Sequence, residues 1–356
     1  MLKRLHFGYD SKRAILAVAS GPQKVHLWRT QAESASDSDQ REPDLELSTE
    51  RSKVVGLHLH TGGELVTIHE TGAVAAWTLA ETDTGLEAEL SWEETVDFTP
   101  ALVASTQAGR VALAGKRGEL VVIDLDGGAT MTGLDGHDAE ITALCFDSPG
   151  ARLATGARDH RLYLWDVDAL DGTSVEPSHE LDGCESWPLS MSFSSDGQRL
   201  AAGAMDNGVY LWSVAPGSNE LVGCVFEHHG WVVDVAWAPD DSVVAAASWD
   251  NTIGIYGREK LRPRFSFEYH RDYVSALCFH GDELYSGSYD QKVCRWRWRD
   301  AEFAGVVEAH SDWILEMTAL EGDRVATLSS DKSVRIWKTP EFELLETLST
   351  GVASSF

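Results

Sequence analysis

Apolar residues in this chain come in short runs, often alternating with polar ones, and Gly, Asp, Asn and Ser cluster between the runs. Residues 270–310 show the pattern well. "YVSALCF", "ELYSGSY", "KVCRWRW" and "EFAGVVE" each read as a β-strand, with hairpin-type punctuation between them. No stretch sustains the 3.6-residue period of an amphipathic helix. The pattern predicts an all-β chain of hairpin-linked strands without separate domains.

The strand groups recur. "ATGARDHRLYLWD" (Ala154 to Asp166), "YSGSYDQKVCRW" (Tyr285 to Trp296) and "ATLSSDKSVRIW" (Ala326 to Trp337) share a small-residue strand, an Asp, five residues and a Trp. Aligned on the closing residue, the units end at Trp28, Trp77, Ile123, Trp165, Trp212, Tyr256, Trp296 and Trp337, spaced 40 to 49 residues apart. That period is the one expected of four-stranded propeller blades, each unable to bury its faces alone. The prediction is a single β-propeller of four-stranded antiparallel blades over residues 1–356. Only "MLKRLHFG" precedes "AILAVAS" and "KVHLW", and "EFELLETLST" supplies the last outer strand. Eight blades, each from consecutive chain and meeting by packing at the ends, are preferred; seven blades plus an atypical N-terminal segment is the alternative.

Composition narrows the function classes. Net charge is −28, and Arg outnumbers Lys about two to one. So acidic a chain repels phosphate backbones, which argues against nucleic-acid partners. No apolar run is long enough to span a membrane, and the polar "YDSKR" interrupts any signal-peptide core, so a soluble, cytoplasmic protein is expected. Cys145, Cys184, Cys224, Cys278 and Cys294 form no CxxC pair; Cys145 and Cys278, both in the phrase "ALCF", read as small buried hydrophobes, and reduced thiols fit that compartment. "RTQAESASDSDQREPDLELSTE" is rich in Ser, Asp, Glu and Gln. Residues 30–45 are expected to form a mobile acidic loop ahead of the outer strand of the first unit.

From Gly136 onward the chain resembles the WD40-repeat β-propeller family. His137, His228, His270 and His310 each precede a first strand. The resemblance implies a hydrogen-bonded tetrad in each well-formed blade. Three complete sets are present: His137, Thr155, Asp159 and Trp165; His270, Ser286, Asp290 and Trp296; His310, Thr327, Asp331 and Trp337. The chemistry stands without the family. A buried carboxylate needs donors, a His N–H supplies one, and a hydroxyl links imidazole to indole. Repetition argues against a catalytic triad, which a molecule needs once. Cys184 and Ala202 break the set in the fifth unit, and Ala246 and Tyr256 break it in the sixth. The first three units are expected to lack the network.

The resemblance also places two loop positions per blade on one rim. The position before the turn Asp holds Arg158, Met205, Trp249, Tyr289 and Ser330. The position opening the innermost strand holds Glu140, Trp187, Trp231, Tyr273 and Trp313. Trp, Tyr and Arg concentrate binding energy. The candidate partner-binding residues are therefore Arg158, Trp187, Trp231, Trp249, Arg271, Tyr273, Tyr289 and Trp313, and the expected partner is a protein or peptide. The competing reading stacks these rings on neighbouring blades as channel lining.

The alternative function is an enzyme, or a small-ligand or metal-binding propeller, with its site at the central channel near Asp138, Glu140 and Glu185. "LHLHTGGELVTIHE" puts His58 and His60 on one strand face, with His69 nearby, a weak metal signal. "RWRWRD" puts Arg295, Arg297 and Arg299 on one face, a stripe expected to pair with acidic neighbours. No phosphate loop, GxGxxG, GxSxG or HExxH occurs. No cofactor and no catalytic residue is expected.

Overall fold

Each sequence unit folds into one four-stranded antiparallel sheet whose strand order follows the chain. The computed structural model describes residues 7–10, 15–19, 23–29, 43–60, 63–83, 85–106, 108–125, 130–170, 176–320 and 322–349. Among these, all regular structure is strand. Eight blades form the ring, running Phe7–Ser48, Val54–Thr95, Leu102–Gly133, Ile141–Glu180, Pro188–Val225, Val232–Glu268, Val274–Glu308 and Ile314–Ser349. We number them 1 to 8. The first strand of each blade lies innermost, and consecutive first strands from blade 1 through blade 8 lie against one another. Blade 1 takes Phe7–Asp10 as its innermost strand and Leu45–Ser48 as its outermost. The acidic stretch expected at residues 30–45 lies outside the described residues up to residue 42.

The closing residues of the units explain why a ring forms. Ile123, Trp165, Trp212, Tyr256, Trp296 and Trp337 each pack into an apolar cluster shared with the preceding blade. Trp77 does the same against blade 1. Trp28 of blade 1 packs with Leu320, Ala326, Leu328, Val334 and Ile336 of blade 8, which closes the circle. Burying one such indole removes on the order of 200 Å2 from water, about 5 kcal/mol of transfer free energy before ordering costs.

Close approach between blades uses small residues at one repeated position. Gly156, Gly203 and Gly287 each follow the second-strand position that holds Thr155, Ala202 or Ser286. A Cβ at Gly156 would strike Pro188, and one at Gly203 would strike Val232. One at Gly287 would stand 2.6 Å from Ile314 Cγ2. In each case the obstacle is the first strand of the next blade. On the face away from the turns between second and third strands, arginines clasp adjacent blades. Arg110 donates to the Gly150 carbonyl at 2.6 Å and pairs with Asp168 at 2.7 Å. Arg152 donates to the Val214 carbonyl at 2.7 Å, and Arg258 reaches back to Asp196.

The glycine contact gives a direct test. Gly287→Val wedges blades 7 and 8 apart and is expected to cost about 1–3 kcal/mol, the usual range for overpacking. The urea midpoint reads this loss, and an unshifted midpoint contradicts the close-approach argument.

Candidate functional site

The recurrent polar residues assemble into directional chains. In blade 8, Trp337 Nε1 donates to Thr327 Oγ1 at 2.9 Å, and that hydroxyl lies 2.7 Å from His310 Nε2. His310 Nδ1 lies 3.0 Å from an Asp331 carboxylate oxygen. Blade 4 repeats this through Trp165, Thr155, His137 and Asp159, at 2.9, 2.8 and 2.8 Å. Blade 7 repeats it through Trp296, Ser286, His270 and Asp290, at 2.9, 2.8 and 3.0 Å. One assignment satisfies every member. The hydroxyl accepts from the indole and donates to Nε2, and the neutral imidazole donates Nδ1–H to the carboxylate.

The carboxylate then fixes two loops. Its inner oxygen accepts the backbone N–H after the histidine: Asp138 N at 3.3 Å, Arg271 N at 3.0 Å and Ser311 N at 3.1 Å. Its other oxygen accepts the N–H two residues on, from Arg161, Lys292 or Ser333. Between these sit His160, Gln291 and Lys332, all left-handed with φ near 70°. A non-glycine residue there costs on the order of 1 kcal/mol, which the doubly held Asp offsets.

The incomplete units differ in instructive ways. In blade 6, His228 Nδ1 meets Asp250 and Thr252, both at 3.1 Å, but Ala246 offers no hydroxyl and the buried Nε2 has no partner. In blade 5, Trp212 Nε1 donates to the Asp182 carbonyl at 2.8 Å. Blade 2 corrects the expectation that the first three units lack the network. Trp77 Nε1 donates to Thr67 Oγ1 at 3.1 Å, and His69 Nε2 lies 3.1 Å from the same oxygen. His69 Nδ1 lies 2.9 Å from the Ser52 carbonyl, which stands where a carboxylate stands elsewhere. This histidine comes from the second strand, not from the loop before the first. The signal available was the Thr-to-Trp spacing of ten residues, shared with the complete sets.

The two rim positions of each blade prove to be backbone partners. Arg158, Met205, Trp249, Tyr289 and Ser330 each donate N–H to the carbonyl of Glu140, Trp187, Trp231, Tyr273 and Trp313 respectively, at 2.9–3.0 Å. The side chains then build a continuous stack. Trp231 and Trp249 lie 4.5 Å apart, and Trp249 and Tyr273 4.8 Å apart. Tyr273 leans on Tyr289 at 5.9 Å, and Tyr289 lies 4.6 Å from Trp313 with planes 6° apart. Met205 separates Trp187 from this run in rim order. Trp187 instead carries the Arg158 guanidinium 4.5 Å above its ring. Arg158 also pairs with Glu140 at 3.0 Å, so its charge is balanced within the rim. Arg271 is exposed. The rings thus stack on one another, as the lining reading requires, yet Tyr273 and Trp313 remain 40% and 41% exposed.

Comparison with known proteins follows this geometry. The family described as WD40, "WD domain, G-beta repeat", matches residues 128–166, 175–213, 220–256 and 261–297. Residues 128–297 thus carry four matched WD40 repeats. It is 28% identical over 128 residues to a p21-activated protein kinase-interacting protein 1-like protein of Xenopus laevis, covering 35% of each chain. It is 26% identical over 265 residues to the U3 snoRNP-associated protein-like EMB2271 of Arabidopsis thaliana, covering 70% of this chain and 47% of that one. The chain therefore spans a third to a half of these curated relatives. Among solved structures, Sqt1 of Chaetomium thermophilum superposes with a TM-score of 0.81 at 17% identity, over 95% of both chains. That likeness shows the fold.

Other candidate chemistry in this propeller is tied up structurally. The Arg295–Arg297–Arg299 stripe pairs with Glu283, Glu302, Asp240 and Asp282. The His58 and His60 ring centroids lie 6.4 Å apart, and burial pushes the His58 imidazole down to about 3. Among the described residues, no group of three His, Cys, Asp or Glu side chains is placed to hold a metal. Of the cysteines, Cys184, Cys278 and Cys294 are buried and Cys224 is exposed, while Cys145 is half-buried where a buried position was expected.

Two predictions follow from the polar chains. Thr327→Val keeps the shape but strands the Trp337 indole and His310 Nε2, and should cost about 1–3 kcal/mol in urea unfolding. Ala246→Ser gives His228 Nε2 a partner and should gain about 0.5–1.5 kcal/mol. Acid sensitivity has a defined sign. Burial holds His69, His137 and His310 below the ordinary 6.5, against the pull of their hydrogen-bond partners. Burial acts to raise Asp331, but the His310 and Ser333 hydrogen bonds outweigh it and hold the carboxyl low. The unfolded chain therefore binds protons that the folded one refuses. The stabilisation is complete above about pH 6.5 and is lost as pH falls below it. The melting temperature should be flat from about pH 8 to 7 and fall below 6.5; a flat profile to pH 5 contradicts the neutral-histidine assignment.

Proposed function

We propose that this WD40 propeller is a non-catalytic interaction platform that holds a protein or peptide partner on its aromatic rim. The observation carrying the proposal is the stack from Trp231 to Trp313, which leaves Tyr273 and Trp313 about two-fifths exposed on a pinned loop framework. Large rings held in place lose little side-chain entropy on binding, and such residues dominate interface energetics. The four matched WD40 repeats support the reading, since propellers built of such repeats commonly act as interaction scaffolds. So does the fold neighbour Sqt1, whose structure was determined bound to the N-terminus of ribosomal protein L10. The acidic surface speeds encounters with basic partners and disfavours nucleic acid.

The test uses Tyr273→Ser with Trp313→Ser. Affinity purification with mass spectrometry should show partners of the wild-type protein falling about tenfold with the variant, a typical hot-spot loss. Melting of the variant should stay close to wild type. Unchanged recovery from a folded variant overturns the proposal.

A further inference from the structure

A basic turn stands on the face opposite the rim. Blade 6 joins its third strand to its fourth through residues 258–264, "REKLRPR". Four of the chain's 29 Lys and Arg fall here, although acidic residues outnumber basic ones 57 to 29. Arg258 is used within the fold: its guanidinium pairs with Asp196 of blade 5 and lies 3.5 Å from an Asp241 carboxylate oxygen. Lys260, Arg262 and Arg264 are exposed, and among the described residues none of the three side chains has an ion pair or hydrogen bond. A cation that merely balances the acidic surface sits beside a carboxylate, as Arg297 and Arg299 of blade 7 do with Glu302 and Asp240. The corresponding turns of blades 2, 7 and 8 include Glu81 and Asp83, Asp300, and Glu341, so the hairpin itself does not call for this charge.

The frame that carries these cations is held in place. Gly257 N donates to the Arg262 carbonyl at 2.9 Å and closes the loop. Leu261 sits inside it in the left-handed region, with φ 47°, which costs a leucine on the order of 1 kcal/mol. Its side chain is fully buried in the cluster that contains Val209, Leu211 and Val222 of blade 5, and that burial offsets the cost. The Lys260 carbonyl approaches Gly223 of blade 5, where an added Cβ would stand 3.4 Å away. The Arg264 guanidinium lies along Gly257, with Nε 3.5 Å from where a Cβ would be. Pro263 fixes φ between the two exposed arginines. A backbone already set in this way has little left to order when a ligand arrives.

We infer that this turn docks a short acidic segment of a partner protein, with Asp or Glu carboxylates pairing with Lys260, Arg262 and Arg264. Charge decides the occupant. The whole chain carries −28, so an extended polyanion, such as nucleic acid or an anionic bilayer, meets repulsion over most of its length. A segment of a few residues stays within the field of the turn, because charges more than about 8 Å away are screened at physiological salt. Each guanidinium fork matches a carboxylate with two parallel hydrogen bonds. The turn gives the molecule a second attachment face, and it stands or falls independently of the aromatic rim.

The experiment measures fluorescence anisotropy of the full chain with labelled nine-residue peptides in which Gly alternates with Glu or with Gln, at about 0.15 M salt. The Glu peptide is expected to bind, and the Gln peptide to bind about tenfold more weakly or not at all. Arg262→Gln with Arg264→Gln changes only exposed side chains, so the melting temperature should stay close to wild type while the Glu peptide weakens about fivefold. Lys116→Gln with Arg117→Gln removes the same charge from an exposed turn on the rim face and should leave binding within about twofold of wild type. The Tyr273→Ser, Trp313→Ser variant should also bind the Glu peptide as wild type does, whatever becomes of its rim partners. No binding of the Glu peptide, equal binding of the Gln peptide, or equal binding by the Arg262/Arg264 variant overturns the inference. An equal loss in the Lys116/Arg117 variant also overturns it, by assigning binding to net charge. Tighter binding of a nine-nucleotide oligouridylate than of the Glu peptide, lost with Arg262 and Arg264, gives the turn to nucleic acid and overturns the acidic-peptide assignment.

Discussion

The architecture depends on a hydroxyl in the second strand that accepts from an indole and donates to an imidazole. A hydroxyl is the smallest side chain able to do both. Once Thr155, Ser286 or Thr327 takes this place, the rest follows in order. The indole is held against the preceding blade, and the imidazole is fixed as the tautomer that donates to the turn carboxylate. The carboxylate gathers the N–H groups of two loops. Those loops present the rim. The surface loops are therefore positioned by a buried chain of hydrogen bonds.

This hierarchy accounts for what could be read from sequence. The closing apolar residue recurs at a regular period, and five of the units carry an Asp six residues before it; from these the fold and ring size were legible. So was the identity of the rim residues, since each stands at a fixed offset from the turn Asp or the first strand. The stacking order was not legible. Whether Trp249 lies over Tyr273 or away from it depends on the angle between blades, which side-chain packing sets across a junction. Nor was the neutralisation of Arg158 by Glu140, residues 18 positions apart in sequence that meet only on the folded loops. The blade 2 network escaped because its histidine arrives from another direction: His69 reaches Thr67 along its own strand and finds the Ser52 carbonyl instead of an aspartate. Satisfying a buried imidazole constrains the partner atoms more than it constrains which part of the chain supplies them.

The distribution of polar chains also divides the ring. Blades 4, 7 and 8 carry the full set, and the aromatic arc runs over blades 6 to 8. Exposed rings on loops are costly to hold in one orientation, because water and rotamer entropy both favour their collapse. In this molecule the backbone pairing of each rim couple and the doubly held turn Asp supply that constraint. Blade 6 keeps its aspartate and histidine although it lacks the hydroxyl, so the half of the network nearest the rim survives where the buried half has lapsed.

The seam between blades 8 and 1 differs in kind from a ring locked by a shared sheet. Leu16, Val18 and Trp28 interdigitate with Leu328, Val334 and Ile336, and among the described residues every hydrogen-bonded strand pair stays within its own unit. Gene-level duplication or deletion of one whole unit would thus cut none of the β-ladders seen among the described residues. Blade number in such a scaffold is an adjustable quantity, limited by how far the wedge angle between neighbours can relax and not by any strand needing its mate.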